Sequence, residues 1–169
     1  MSTRTLVSEE EYLNTSYEPD CEYLDGELVE RNVGTKAHCR LALLLGAYFL
    51  HREKLCNIHV YTDVRTRVRQ GRYRLPAVIV YSGPEPDEQV FTKPPLIWIE
   101  VLSPDDRPIR VNDKVRELLE FGVPYIWIID PETLESEVHT QHGSTSLSDG
   151  IFRIPGTPIE VPLQALEDN

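Results

Sequence analysis

Hydrophobic and polar positions change period several times along this chain, and each change predicts an element. In NIHVYTDVRTRVR (57–69), Ile58, Val60, Thr62, Val64, Thr66 and Val68 alternate with His59, Tyr61, Asp63, Arg65, Arg67 and Arg69. A period of two predicts a strand with one wet face. After a turn at 70–72, RYRLPAVIVY (72–81) predicts a second strand, antiparallel to the first. LIWIEVL (96–102) is an apolar run of strand length broken by one charge, Glu100, which is the pattern of an interior strand. Between Thr35 and about Arg52 the spacing becomes helical. Leu41, Leu44, Leu45, Tyr48 and Phe49 make a stripe that Leu43, Ala47 and Leu50 widen, predicting a largely buried helix. A second long helix is predicted from about Ile109 to Phe121, with Val111, Val115, Leu118 and Leu119 inward and Gly122 as its stop.

Turn chemistry supplies the remaining boundaries. Ser8, followed three residues later by Glu11, is a capping-box pattern and predicts a short helix. Asp25-Gly26, between β-compatible flanks, predicts a hairpin over 22–32. SGPEPDEQVFTKPP, with four prolines, is irregular. PYIWIIDPETLESEVH reads as two strands across an Asp-Pro turn, and 151–154 as an edge strand before a final turn. This order of elements predicts an α/β fold, a central mixed sheet flanked by helices.

With 169 residues and 40% hydrophobic content, the chain suits one domain, 1–169, with one core. Cys21, Cys39 and Cys56 are odd in number and lack CxxC spacing, which argues for reduced thiols rather than a disulfide framework or zinc site. There is no signal-peptide pattern and no membrane-length apolar run, so a cytoplasmic location is expected. The net charge of −11 excludes a broad basic footprint. Contact with DNA must then be local. Arg65, Arg67 and Arg69 on one strand face, with Arg72 and Arg74 after the turn, offer phosphate contacts; pairing with surface acids is the alternative.

Glu100 stands on the same strand face as Trp98 and Leu102, and a buried carboxylate is costly unless paired or bound to a metal. It pairs with an arginine such as Arg65 or Arg67, or it serves a site. Lys114 lies beside the apolar stripe of its helix and either reaches inward or snorkels to water. Asp113 falls off that stripe. If strands 72–81 and 96–102 are neighbours, a carboxylate at 77 would join Glu100 and Lys114 in a hard-cation site. Position 77 is an alanine.

EYLDGE (22–27), His38, Pro76-Ala77, LIWIEVLSP (96–104), the Lys114 helix and GVPYIWIIDPE (122–132) together resemble the Uma2 (Uma-two) family of the PD-(D/E)XK, restriction-endonuclease-like nuclease superfamily. The resemblance covers about Leu6 to Leu166. It implies a Mg²⁺-dependent (or Mn²⁺-dependent) endonuclease of DNA, and a homodimer by analogy. It places the metal-binding aspartate at Ala77, the second acid at Glu100, a further metal ligand at the Val101 carbonyl, the lysine at Lys114 and an additional acid at Glu22. Alanine at 77 removes a ligand, so impaired hydrolysis is expected, through engineering or natural loss; a non-catalytic binding or assembly module is the alternative.

Overall fold

The computed structural model of the protein describes residues 6–32 and 34–168. It opens with α1 (Glu9–Leu13), whose N-cap Ser8 hydroxyl accepts the Glu11 N–H as the capping box predicts. The hairpin of β1 (Cys21–Leu24) and β2 (Glu27–Glu30) turns at Asp25 and Gly26, with φ of +52° and +96°. Two successive positive φ values are what a two-residue turn compatible with strand twist requires.

Helix α2 (Lys36–Leu50) starts at N-cap Thr35, and a short α3 (Glu53–Cys56) follows it. The expectation that α2 is largely buried is corrected. Leu41, Leu45, Tyr48 and Phe49 are buried, but Leu43 and Leu50 are 63% and 57% exposed, because the apolar surface is wider than the sheet it covers.

The two long strands expected over 57–69 and 72–81 are each broken. β3 (Ile58–Tyr61) and β4 (Thr66–Arg69) flank a bend, as do β5 (Arg72–Arg74) and β6 (Val78–Ser82). Asp63 takes φ +54° in the first bend, and its N–H donates to the Pro76 carbonyl in the second at 3.1 Å. Both arms of the hairpin thus bend at one level, and their halves join different sheets. The outer halves complete a four-stranded antiparallel sheet, β2-β1-β5-β4. Alternation continued through the bend and so concealed it.

Six strands form the main sheet. β7 (Ile97–Val101) lies between β6 and β8 (Tyr125–Ile129), followed outward by β9 (Ser136–Thr140) and β10 (Gly143–Ser146), with β3 at the opposite edge. β7 and β8 are parallel and the other pairs antiparallel. The parallel pair needs a crossover. α4 (Pro108–Phe121) provides it and stops at Gly122, whose φ of +106° suits a left-handed cap.

Alternation along β7 divides the core. Ile97, Ile99 and Val101 pack with α2, while Trp98 joins Val115 and Leu118 of α4 on the other face. Beyond the single edge strand expected for the tail, a small sheet of β11 (Ile151–Arg153) and β12 (Glu160–Pro162) and a 3₁₀ turn (Leu163–Asp168) cover the α2 side, where Phe152 stacks on Trp127 at 4.1 Å. Among the described residues, no helix is long and apolar enough to cross a membrane.

Candidate functional site

Three elements meet at the end of β7 on its α4 face. β7 directs Glu100 toward α4, β1 contributes Glu22, and α4 sends Lys114 inward. The Lys114 ammonium is 2.9 Å from Glu22 Oε1 and 2.8 Å from Glu100 Oε1. Trp98 Nε1 donates to Glu100 Oε1 at 2.7 Å. Glu100 is therefore paired with Lys114 rather than with the arginines of the β3–β4 segment, and Lys114 does not snorkel outward.

Glu22 is the more deeply buried acid, at 7% exposure. Arg74 Nη1 lies 2.7 Å from Glu22 Oε2, and the Leu75 N–H donates to Oε1 at 3.1 Å. Burial alone raises a carboxyl pKa, but Lys114, Arg74 and the Leu75 N–H overrule it and hold Glu22 down to about 2. Burial disfavours the Lys114 ammonium, yet Glu100 and Glu22 keep its pKa above the ordinary lysine value. Arg74 also reaches Glu117 at 2.6 Å, and Arg72 bridges Glu117 and Asp25 at 3.3 and 3.0 Å. The carboxylates of Glu22, Glu100 and Glu117 are thus met by Lys114, Arg74 and Arg72.

Ala77 lies one position before β6. It sits in the bend just before the ladder that begins with Val78 opposite Ile99. Its methyl group packs with the α2-side core. There it lines a cavity of about 260 Å³ with Arg31, His38, Leu43 and Asp63. Arg31 and His38 also line the adjoining cavity of about 100 Å³ that holds Glu22, Glu100, Val101 and Lys114. Ala77 and Glu100 therefore belong to neighbouring compartments joined by Arg31 and His38. Arg31 forms an ion pair with Asp63, and although burial opposes its charge, Asp63, Glu100 and Glu22 keep its pKa raised. The Nδ1 of His38 is buried without a hydrogen-bond partner.

The basic residues of the bent hairpin are placed differently from the expected phosphate-binding face. Arg65 caps α1, donating to the carbonyls of Tyr12 and Thr15 at 2.7 and 2.8 Å while its guanidinium lies 4.3 Å above the Tyr12 ring. Arg69 is held by both carboxylate oxygens of Asp25 at 3.0 Å. Arg74 is buried beside Glu22, whereas Arg67 is exposed and forms no ion pair among the described residues. Arg31, Asp63 and Glu117 were missed in the sequence because each reaches the site from another element, where no local pattern marks it.

The donor set as it stands does not fit the divalent cation implied by the resemblance. Mg²⁺ needs charged oxygens that are free to face it. Here both carboxylates share an internal ammonium, Ala77 contributes no oxygen, and no group of three His, Cys, Asp or Glu side chains able to hold a metal occurs among the described residues.

A mixed sheet between helices, with the α4 crossover joining its parallel pair, gives the chain a restriction-endonuclease-like fold. The model of the Uma2 family, described as "Putative restriction endonuclease", matches residues 9–163, and the chain belongs to that family. Its fold is similar to a crystal structure of a protein from Anabaena variabilis ATCC 29413, described as a "putative nuclease belonging to DUF820". The TM-score is 0.80 at 19% identity, covering 96% of this chain and 98% of that one. No curated protein matches the chain.

Proposed function

We propose that this protein is a DNA endonuclease of the PD-(D/E)XK type whose hydrolytic site is incomplete at Ala77. The observation that carries the reading is the placement of Lys114 between Glu22 and Glu100, with Ala77 just before β6 in the neighbouring compartment. Two acids and a lysine from three separate elements converge at the end of the central strand, and Ala77, in the compartment adjoining through Arg31 and His38, brings only a methyl group. With its acids already neutralised, the cluster has no charge surplus to draw a Mg²⁺ or Mn²⁺ ion from water. Calorimetric titration of Mn²⁺ tests this directly. The reading expects little binding by the native chain and clear binding by the Ala77→Asp variant; strong binding by the native chain contradicts the assigned incompleteness.

A second reading, an assembly module that retains the nuclease fold, is favoured by one feature. Leu43, Gly46, Ala47 and Leu50 line an apolar groove on the outer face of α2, beside Val60 and Val64. Sedimentation over a concentration series separates the two readings. A stable homodimer lost on Leu43→Asp, with no metal binding even after Ala77→Asp, supports assembly alone.

A further inference from the structure

Arginine normally belongs at the carboxyl end of a helix, where it complements the helix dipole. α4 does the reverse. Arg107 is its N-cap and Arg110 stands in its first turn; no side chain caps the helix, and the first turn contains no acid. The nearby acids do not offset these charges through ion pairs. Asp106 gives one oxygen to Asn32 at 3.0 Å and the other to the Ser103 N–H at 2.7 Å, and Asp105 is exposed. No ion pair involving Arg107 or Arg110 occurs among the described residues. Both side chains are exposed, unlike the committed Arg65 and Arg74.

Arg110 and Lys114 are four apart on α4 and share one helix face, and Arg107 stands just before them as the extended N-cap. Arg107 and Arg110 line an open cavity of about 470 Å³ with Asn32, Asp105 and Asp106, the last of these held by Asn32 and the Ser103 N–H. Arg110 also lines the cavity of about 110 Å³ containing Glu22, Glu100 and Lys114. Arg110 and Asp106 line both cavities, with Arg107 in the outer one and Lys114 in the inner one beside the acid pair. Arg31 and the unpartnered Nδ1 of His38 line the inner compartment that Lys114 also reaches. The arrangement is unfavourable for the free chain and favourable once an anion lies against it.

We propose that Arg107, Arg110 and Lys114 form the track along which the phosphodiester backbone of a nucleic acid enters this site. The inference rests on the nuclease reading above, and it moves the phosphate contacts from the bent hairpin to α4. Arg107 and Arg110 hold phosphates outside the cleft, and Lys114 marks the inner end of the track.

Fluorescence anisotropy of a labelled DNA duplex and of its single strand, in EDTA over a salt series, tests the assignment. The double variant Arg107→Gln/Arg110→Gln is expected to lose roughly tenfold or more in affinity and to lower the slope of log K against log salt by about 1.8, at about 0.9 for each lost phosphate contact. Arg67→Gln/Arg69→Gln should bind within about twofold of the native chain. The reverse order, or equal binding by all three proteins, overturns the track. Absence of binding by the native chain overturns it as well. Plasmid nicking by Ala77→Asp separates the two levels: nicking without dependence on Arg107 and Arg110 removes the track and leaves the nuclease reading, while absence of both nicking and binding removes both.

Discussion

Glu22 of β1 and Lys114 of α4 meet at 2.9 Å inside the protein, tying the four-stranded sheet to the crossover helix of the main sheet. Their contact brings an acid from the first hairpin to Glu100 on the central strand. It also sets the stability of the site, because removing one partner leaves a buried charge uncompensated.

Glu22→Ala is therefore expected to destabilise the fold by about 3–5 kcal/mol, since it strips Lys114 and Arg74 of a counter-charge and leaves the Leu75 N–H without its acceptor. Glu22→Gln keeps an oxygen for Leu75 and should cost less. Urea denaturation measures both; equal stability of Glu22→Ala and the native protein contradicts the assigned role.

The same pair predicts an acid limb in stability. Glu22 is held at about 2 against an ordinary 4.5, so its carboxylate contributes fully above about pH 4.5. That contribution is lost as the pH falls toward 2 and amounts to about 3 kcal/mol over the window. Thermal melts between pH 2 and 5 should show this limb, and Glu22→Gln should flatten it. An unchanged limb in the variant assigns the acid sensitivity to other carboxylates.

Arg65 provides a contrast between structural and binding roles. Arg65→Ala removes hydrogen bonds to the carbonyls of Tyr12 and Thr15 and the stacking over Tyr12, which should cost about 2 kcal/mol. DNA affinity should be unaffected. A variant of native stability with weakened DNA binding would return Arg65 to the phosphate-binding face expected from the alternation.

Much of this architecture was legible residue by residue. Ser8, Asp25-Gly26 and Gly122 fixed boundaries through local turn and cap chemistry, which needs no tertiary partner. Glu100 and Lys114 stood out because each interrupts an apolar surface, and the structure joins them. The bends at Asp63 and Pro76 were not legible, because a bend that carries both arms of a hairpin preserves the period of two. The fates of Arg65, Arg69 and Arg74 depended on acids and carbonyls far away in the sequence. No local pattern marks Arg107 or Arg110 in the sequence, and what sets them apart is that neither forms an ion pair among the described residues.

Plasmid nicking by the native chain and by Ala77→Asp, side by side with Mn²⁺, tests the central claim most directly. The account predicts nicking by the aspartate variant and weak or absent nicking by the native chain. Efficient nicking by the native protein, or an inert Ala77→Asp variant that is folded and binds metal, would contradict it.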